Sequence, residues 1–365
     1  MSALMASLAQ QALERGVPWS AHLDITYRCN ERCVHCYLNH DDRGEMALSE
    51  IRDILSQLAG AGTFFLTISG GEPFVRKDIF EILEAARSLT FNLKLKTNGT
   101  MIGAEQAQRL RALGVETVQI SVYSADPQVH DGITKLPGSL ARTVKAIKFL
   151  RAQRLKVTLA NVLMRENLYD YAGVAAMARE LGAHFTIDPT ITPHLEADAA
   201  PLTHRVPTHA LREIFRRPEL VGNVDEFCAP AHSATEDERQ SFPCSAGHTS
   251  VYISPYAEVF PCVQFPLPLG NLRKQSFAQI WEHSPALEEV RSIRVRELHT
   301  CSGCDHVAGC TRCPGLAYIE GDMRGPSSAD CEKSFARTGI WSANMRRKFS
   351  AALVQIAPAP AEATA

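Results

Sequence analysis

Residues 29–36 read Cys29-Asn30-Glu31-Arg32-Cys33-Val34-His35-Cys36, and this stretch decides the interpretation of the whole chain. Its cysteines have the spacing C-x3-C-x2-C and directly follow a predicted strand at 21–26. Three thiolates on one loop can ligate three irons of a cubane cluster and leave the fourth iron free for an exogenous ligand. A zinc site completed by His35 is the alternative, although structural zinc usually takes paired C-x2-C units.

The chain continues with alternating strand-like and helix-like segments. Short apolar runs rich in Ile, Val, Leu, Phe or Thr predict six strands, over residues 21–26, 64–69, 92–97, 117–122, 156–162 and 184–188. Apolar stripes of helical period lie between them, and one helix is predicted from Asn167 to a C-cap at Gly182. Six such units, rather than eight, predict an α/β fold with a parallel sheet, namely a partial (β/α)6 TIM-like barrel.

Changes in composition predict four regions. Residues 1–18 form an N-terminal segment, 19–225 the partial barrel, 226–345 a cysteine-rich domain, and 346–365 a tail. A small hairpin is expected over 250–253 and 258–260, and the Ala/Pro/Glu-rich tail is expected to be disordered.

Composition narrows the classes of partner and compartment. The 365 residues carry a net charge of −2, which favours neither nucleic acid nor an anionic membrane as partner. No apolar run reaches the ~20 residues that span a bilayer, and the N-terminus lacks a signal-peptide pattern. We therefore expect a cytoplasmic protein, in which the 11 cysteines bind metal rather than form disulfides.

A second motif, Ser69-Gly70-Gly71-Glu72-Pro73, follows the second predicted strand. Glycines let a backbone approach a ligand closely, and Glu72 offers an anionic acceptor to an ammonium group. Polar residues also end three later strands: Asn98 after Thr97, Ser121, and Asn161. Ordinary turn and capping chemistry is the alternative reading of all these positions.

The cysteine loop and the Gly-Gly-Glu motif together resemble the radical S-adenosylmethionine (SAM) superfamily. The resemblance implies a [4Fe-4S] cluster with an open iron on Cys29, Cys33 and Cys36, where SAM chelates through its amine and carboxylate. It also implies SAM-binding roles for His35 beside the adenine, for Gly70, Gly71 and Glu72 at the methionine amino group, and for Asn98, Ser121 and Asn161 at the ribose or carboxylate.

The later cysteines resemble the SPASM domain, which carries auxiliary iron–sulfur clusters. Two departures from that family stand out, a two-residue gap before Cys313 and Ala257 in place of a glycine. The resemblance implies one auxiliary cluster on Cys301, Cys304, Cys310 and Cys331. It implies another on Cys244, Cys262 and Cys313, with either Cys228 or an open iron completing it. Two zinc sites are the alternative.

These resemblances imply a radical SAM oxidoreductase. It would cleave SAM to a 5′-deoxyadenosyl radical and abstract hydrogen from a ribosomally made peptide, leaving a crosslink or another oxidative modification. Sulfatase maturation is disfavoured because Val263 stands where those enzymes place an acidic residue. The expected partners are an electron donor such as flavodoxin or ferredoxin and a separate peptide-recognition protein, since few residues precede the barrel.

Two other functions remain open from the sequence. One is a radical SAM dehydrogenase of a small alcohol or sugar, and the other is a multi-cluster electron-transfer protein. The Gly-Gly-Glu motif argues against a simple carrier, which needs no SAM site. No catalytic acid or base is assigned.

Overall fold

The computed structural model describes residues 3–194, 198–230 and 232–341. Its strands are β1 Ser20–Asp24, β2 Phe65–Ser69, β3 Asn92–Thr97, β4 Thr117–Ser121, β5 Lys156–Val162, β6 His184–Asp188, β7 Ser250–Ile253, β8 Glu258–Phe260 and β9 Gly270–Asn271. Its α-helices are α1 Ala3–Glu14, α2 Leu48–Gly60, α3 Ile79–Ser88, α4 Ala104–Ala112, α5 Pro127–Thr134, α6 Ser139–Ala152, α7 Tyr171–Glu180, α8 Thr208–Ile214, α9 Pro218–Val221, α10 Val224–Phe227, α11 Glu236–Gln240, α12 Phe277–His283, α13 Pro285–Ser292, α14 Pro314–Ile319 and α15 Ser328–Thr338.

One sheet contains all these strands, in the order β6-β5-β4-β3-β2-β1-β7-β8-β9. Strands β1 to β6 pair in parallel with their neighbours, and β7 joins the other side of β1, also in parallel. Strands β8 and β9 then add antiparallel pairs. Because β6 and β9 are the two edges, the sheet is open, which confirms the predicted partial barrel.

The two faces of the barrel strands differ in polarity. Leu23, Ile68 and Leu95 are fully buried in the hydrophobic core together with Ile51 of α2 and Ile82 of α3. Burying each such side chain contributes about 1.5–3 kcal/mol to folding. The alternate positions carry polar side chains, so the opposite face of the sheet is polar.

Register aligns those polar positions across neighbouring strands. His22 of β1 lies opposite Thr67 of β2, and Thr67 lies opposite Lys94 of β3. Lys96 lies opposite Gln119 of β4. Side chains at successive aligned positions point to the same face of a pleated sheet, and here that face is the concave side of the barrel.

The chain divides into two compact units. The first comprises Met1–Val206 and Ser245–Ser292, and the second comprises Pro207–Cys244 and Ile293–Ala365. The 245–292 segment, which includes the predicted hairpin, therefore groups with the barrel residues. The boundary predicted between 225 and 226 does not coincide with this division.

The second unit contains little regular structure around Cys301, Cys304 and Cys310. Helices α8 and α15 pack together, whereas Cys301–Gly303 and Val307–Gly309 form single 3-10 turns. The predicted tail, 346–365, lies outside the described residues, as do 342–345 of the predicted cysteine-rich domain.

The helix predicted from Asn167 was placed too early, because it begins at Tyr171. Arg165–Asn167 instead forms a 3-10 turn. The side-chain oxygen of Asn167 accepts the Met164 amide at 2.8 Å, and its nitrogen donates to the carbonyls of Tyr123 and Val162. These bonds hold Asn167 in the loop after β5.

No helix in the described ranges combines the length and apolarity that crossing a lipid bilayer requires.

Candidate functional site

The cysteine loop is anchored on both sides by backbone hydrogen bonds. It leaves the carboxyl end of β1 and packs along the end of α5, where the amides of Arg32 and Val34 donate to the carbonyls of Thr134 and Ile133. The Cys36 amide also donates to the Cys33 carbonyl at 3.0 Å, which closes a tight turn. The barrel scaffold therefore positions the three thiols before any metal is bound.

Burial suppresses ionisation of these thiols. It raises the pKa of Cys29 to about 12 and raises the pKa values of Cys33 and Cys36 as well. Neighbouring acidic groups, Glu31 beside Cys33 among them, act in the same direction. A metal ligand must be a thiolate, so the loop favours its ionised form only when a cationic centre is bound. Three cysteines without a fourth thiol in the loop fit a cluster with one open iron.

Weak hydrogen bonds surround the sulfurs. Asn98 Nδ2 donates to Cys29 Sγ at 3.9 Å, and the Tyr123 hydroxyl donates to Cys33 Sγ at 3.9 Å. The Glu31 amide donates to Cys29 Sγ at 3.4 Å. Such contacts to ligand sulfurs orient them and tune the potential of a bound cluster.

The glycines of the second motif allow two backbone segments to touch. A Cβ on Gly70, whose φ is +137°, would lie 2.1 Å from the Thr26 carbonyl oxygen, and a Cβ on Gly71 would lie 2.4 Å from that of Arg28. The Gly71 amide donates to the Thr26 carbonyl at 2.8 Å. The glycines thus bring the end of β2 against the segment that leads into the cysteine loop, and both also line the cavity described below.

Glu72 is fully buried, and its carboxylate accepts hydrogen bonds from the end of β3. Its carboxylate accepts the Thr97 hydroxyl and the Asn98 amide at 2.8 Å, and the Phe74 amide at 3.0 Å. Burial raises its pKa to about 7, and these hydrogen bonds oppose the shift. Glu72 is not among the residues that line the cavity. Its predicted contact with the SAM ammonium stays a prediction, whereas its positioning of Asn98 is observed.

A cavity of about 720 Å³ opens at the carboxyl ends of the barrel strands. The site residues predicted from the sequence that line it are Cys29, Cys33, His35, Cys36, Gly70, Gly71, Asn98, Ser121 and Asn161. These residues come from loops or strand ends that are far apart in the sequence. The cavity, entirely within the first unit, is large enough for a cofactor together with part of a substrate.

Two polar atoms at the cavity wall lack partners among the described residues. Asn161 Nδ2 donates to the carbonyls of Val122 and Tyr123, which leaves its buried Oδ1 without a hydrogen bond. His35 Nδ1 is also buried and unpaired. Burial lowers the pKa of His35 to about 4, so the ring is neutral at pH 7. Buried polar atoms are normally hydrogen-bonded, and these two fit a polar cofactor in the cavity.

Tyr123 belongs to this wall but was missed by the sequence reasoning. Its ring lies 4.9 Å from the His35 ring in an edge-on arrangement, and its amide donates to His130 Nδ1. The available signal was its position just beyond a strand that ends in a polar residue, Ser121. Tyr123 therefore fixes the orientation of His35 beside the cavity.

The concave face supplies further residues that the sequence reasoning missed. His22, Lys94, Lys96 and Gln119 all line the cavity. The available signal was the alternation Asn92-Leu-Lys-Leu-Lys-Thr97, in which polar residues repeat with the period of a strand. The cavity wall therefore carries basic side chains, and Glu31 and Asp188 add acidic ones.

A buried hydrogen-bond chain supports His22. Its Nε2 lies 3.0 Å from Oδ1 of Asp24, which is fully buried, and the Tyr252 hydroxyl donates to Asp24 Oδ2 at 2.8 Å. The Tyr27 hydroxyl lies 2.7 Å from that of Tyr252. Both carboxylate oxygens of Asp24 are thus occupied, and they hold the His22 ring in place.

In the second unit, four predicted ligands influence one another. Burial raises the pKa of Cys310 to about 12, and Asp330, Cys301 and Cys304 raise it further. Burial likewise raises the pKa of Cys331, to which Cys310, Cys301 and Cys304 contribute. Cys301, Cys304, Cys310 and Cys331 are therefore near enough for their charges to interact. Their shared cluster stays a prediction.

The other predicted auxiliary set divides between the units. Cys262 belongs to the first unit, and the two residues after it, Val263 and Gln264, line the cavity. Cys244, Cys313 and Cys228 belong to the second unit, where the Cys228 thiol donates to the Phe215 carbonyl at 3.3 Å. This ligand set, including Cys228, stays a prediction.

Within the described residues, no group of three or more His, Cys, Asp and Glu side chains converges on the spacing of a single metal ion.

Family models match two parts of the chain. The radical SAM superfamily model matches residues 23–177, which include the end of β1, the cysteine loop and β2 to β5. The SPASM model, an iron–sulfur cluster-binding domain, matches residues 244–305. The matched regions contain the first cysteine loop and Cys244, Cys262, Cys301 and Cys304 of the later group. They imply a [4Fe-4S] cluster, SAM and additional iron–sulfur clusters.

Curated relatives extend over most of the chain. The PqqA peptide cyclase of Xanthomonas campestris pv. campestris is 33% identical over 88% of this chain and 89% of its own length. The AdoMet-dependent heme synthase of Methanosarcina barkeri is 28% identical over 81% of this chain and 90% of its own.

A solved structure shares the fold. Streptococcus suis SuiB bound to its precursor peptide SuiA has a TM-score of 0.70 and 18% identity, over 89% of this chain and 80% of that protein.

Proposed function

Since this chain belongs to the radical SAM superfamily and carries its SPASM domain, we propose that it oxidatively modifies a ribosomally made peptide. The observation that carries the proposal is the single cavity that joins Cys29, Cys33 and Cys36 to the polar ends of β2 to β5. The 33% identity to a peptide cyclase over nearly nine-tenths of both chains supports a peptide as substrate.

The residues present fit the cofactors that the family implies. Cys29, Cys33 and Cys36 would hold the cluster, and the unpaired atoms of His35 and Asn161 would receive polar groups of SAM. When bound, the cluster and SAM supply a carbon radical that abstracts hydrogen from a substrate carbon. The protein contributes by positioning the substrate and excluding competing reactions.

The chain's own residues perform that positioning. Glu72 holds the Asn98 backbone through the hydrogen bond described above, and Tyr123 orients His35. The glycine contacts fix the cysteine loop relative to the strand ends. Removing any of these supports would misplace reacting groups, and small misplacements lower rates strongly.

A net oxidation such as a crosslink requires that an electron leave the substrate. Auxiliary clusters in the SPASM domain would accept it, and a flavodoxin or ferredoxin would reduce the SAM cluster. A separate protein would present the peptide. These partners belong to the proposal together with the oxidoreductase class.

The first test asks whether SAM is cleaved. Anaerobically reconstituted protein is incubated with dithionite and SAM, and 5′-deoxyadenosine is quantified by chromatography. We expect deoxyadenosine from the wild type and from Ser56→Ala, a control at an exposed position on α2. We expect none from Cys33→Ala. Intact clusters without deoxyadenosine in the wild type would support an electron carrier and contradict the proposal.

The second test concerns the substrate. The enzyme is co-expressed with a short peptide encoded beside its gene, and the peptide mass is measured. A crosslink removes two hydrogens. An unchanged peptide, together with turnover of a small alcohol or sugar, would favour the dehydrogenase.

A haem-forming reaction is the second candidate function, because the heme synthase relative covers 81% of the chain. The peptide reading is preferred because the cyclase has the higher identity. Appearance of haem absorbance when extract from cells that make haem precursors is supplied, without peptide modification, would reverse that preference.

A further inference from the structure

Two lysines project from neighbouring inward positions of one barrel strand. Lys94 and Lys96 are two residues apart on β3, both are half-buried, and both line the cavity. Within the described parts of the chain, neither ammonium forms a hydrogen bond or an ion pair. Two adjacent cations on a cavity wall without an anionic partner require an explanation.

The carboxylates whose charges reach Lys96 form no ion pair with it within the described residues. Asp24 and Asp188 are the acidic groups that influence Lys96. Asp24 has one oxygen beside His22 and the other bound by Tyr252, as described above. Asp188 Oδ1 accepts the Thr190 amide at 2.8 Å. These carboxylates favour the charged form of Lys96 but form no ion pair with either ammonium.

The environment disfavours the lysine charges in the free protein. Burial lowers the pKa of Lys96, and burial together with the charge of Lys96 lowers the pKa of Lys94. Both lysines also lower the pKa of His22. An anion placed between the ammonium groups would relieve the repulsion and stabilise both charged forms. The amide of Gln119, beside Lys96 in the sheet register, could add a neutral donor.

We propose that Lys94 and Lys96 bind a carboxylate of the peptide substrate on the concave wall of the barrel. The inference rests on the proposed function and deepens it by naming the group that is recognised. It predicts that the peptide carries an acidic side chain, or its own C-terminal carboxylate, close to the modified residue.

The carboxylate of SAM is a less suitable occupant. The predicted SAM residues stand at or beyond strand ends, and the SAM carboxylate is expected at the open iron. Lys94 lies three residues before the end of β3, about 10 Å along a strand that rises roughly 3.3 Å per residue. Lys96 is nearer, two residues before Asn98, but Lys94 is set back from the predicted SAM contacts, so a group that contacts both lysines lies below the strand ends.

The test uses defined probes on the complete enzyme. Anaerobically reconstituted protein with SAM is titrated with three acetylated pentapeptides in a calorimeter. One has a central glutamate among alanines and an amidated end, the second has glutamine in its place, and the third has five alanines and a free carboxylate. We expect at least one carboxylate peptide to bind about ten-fold more tightly than the glutamine peptide.

Variants connect that preference to the lysines. Lys94→Gln and Lys96→Gln should each reduce the ratio of affinities towards one, whereas Lys94→Arg should retain most of it because the charge remains. Lys148→Gln is the matched control, since it removes an exposed lysine from α6 and should leave the ratio unchanged. The carboxylate peptide that is preferred identifies the source of the group.

Three results would overturn the inference. The wild type could bind all three peptides equally, or both Gln variants could keep the full ratio. A Gln variant could instead lose SAM affinity while keeping the ratio, which would assign the lysine to the cofactor. Failure of the proposed function is a separate result, because the wild type would then form no deoxyadenosine or would leave the mass of the co-expressed peptide unchanged.

Discussion

The two groups of cysteines differ in what holds them before metal arrives. Residues 29–36 follow a central strand of the sheet, and backbone hydrogen bonds to the end of α5 fix the loop. Cys301, Cys304 and Cys310 lie on or beside isolated 3-10 turns, and only Cys331 lies inside a helix of eleven residues. The first group relies on the fold, and the second should rely on its metal.

The two groups of cysteines therefore represent two kinds of metal site, one with an open position and one closed by cysteines. A site that must admit an exogenous ligand needs a rigid scaffold, because the scaffold sets where the open position points. A site that is closed by cysteines can use the metal itself as part of its core.

The largest effect should come from removing one cysteine of each group. Cys33→Ala should abolish deoxyadenosine formation, because the cluster that activates SAM loses a ligand. Cys304→Ala should retain measurable SAM cleavage while product formation from the peptide is lost. Iron content and deoxyadenosine are measured on the same preparations. Equal loss of SAM cleavage in both variants would contradict a division of labour between the groups.

Removing the iron should loosen the second unit more than the barrel. Hydrogen exchange followed by mass spectrometry compares reconstituted protein with chelated, iron-free protein. Metal binding is coupled to folding, so we expect exchange in Ser328–Thr338 to speed up by about 100-fold or more. Exchange in Asn92–Thr97 should change by less than about ten-fold. Similar changes in exchange rate in both segments would contradict the claim that only the second unit depends on its metal.

A methyl group should be more damaging beside the first loop than in the second unit. Gly71→Ala places a Cβ 2.4 Å from the Arg28 carbonyl oxygen, and we expect a loss of about 3 kcal/mol in the free energy of unfolding. Gly321→Ala meets no atom within 4 Å but retains φ +100°, so its cost should be about 1–2 kcal/mol. Denaturant unfolding checks both, and a larger loss for Gly321→Ala would contradict the ranking.

The smallest effect concerns the buried carboxyl behind the site. Burial raises the folded-state pKa of Glu72 from 4.5 to about 7. Between those values the unfolded chain has released the proton while the folded chain holds it, so stability falls as pH rises. The free energy of unfolding of the wild type, relative to Glu72→Gln, should fall by about 1–3 kcal/mol between pH 5 and pH 8.

Melting or denaturant curves of both proteins at each pH measure that difference. The variant is its own control, since the other titrating groups are the same in both proteins. A wild type that gains stability relative to the variant as pH rises would mean that the three hydrogen bonds to Glu72 outweigh its burial.

Most strands and helices of the barrel could be predicted from the sequence, because the patterns that indicate them lie within short segments. The strands at 92–97, 156–162 and 184–188 have the predicted bounds, since each is a short segment with the apolar content or alternation of a strand. The start of α7 was misplaced because side-chain hydrogen bonds of Asn167 compete with helix formation, and periodicity does not register them.

The candidate site could be predicted only in part, because some of its residues come together only in the folded chain. The cysteine spacing and the glycine motif are visible in single segments, so the sequence predicted residues that the structure brings to one cavity. His22, Lys94 and Lys96 lie on one face of the sheet because of the register of β1, β2 and β3. That register cannot be read from any single segment. Glu72 was recognised as important, but its hydrogen bonds to Thr97 and Asn98 depend on the tertiary fold.

The placement of β7 beside β1 has a consequence for dividing this protein into parts. The chain passes between its units after residues 206, 244 and 292, so the cysteine-rich portion is interleaved with the barrel rather than appended to it. Truncation after residue 206 would expose the backbone edge of β1, and unpaired strand edges invite aggregation. Any chimera that exchanges auxiliary cysteines with a relative should therefore keep 245–292 with its own barrel and splice at the two remaining segments.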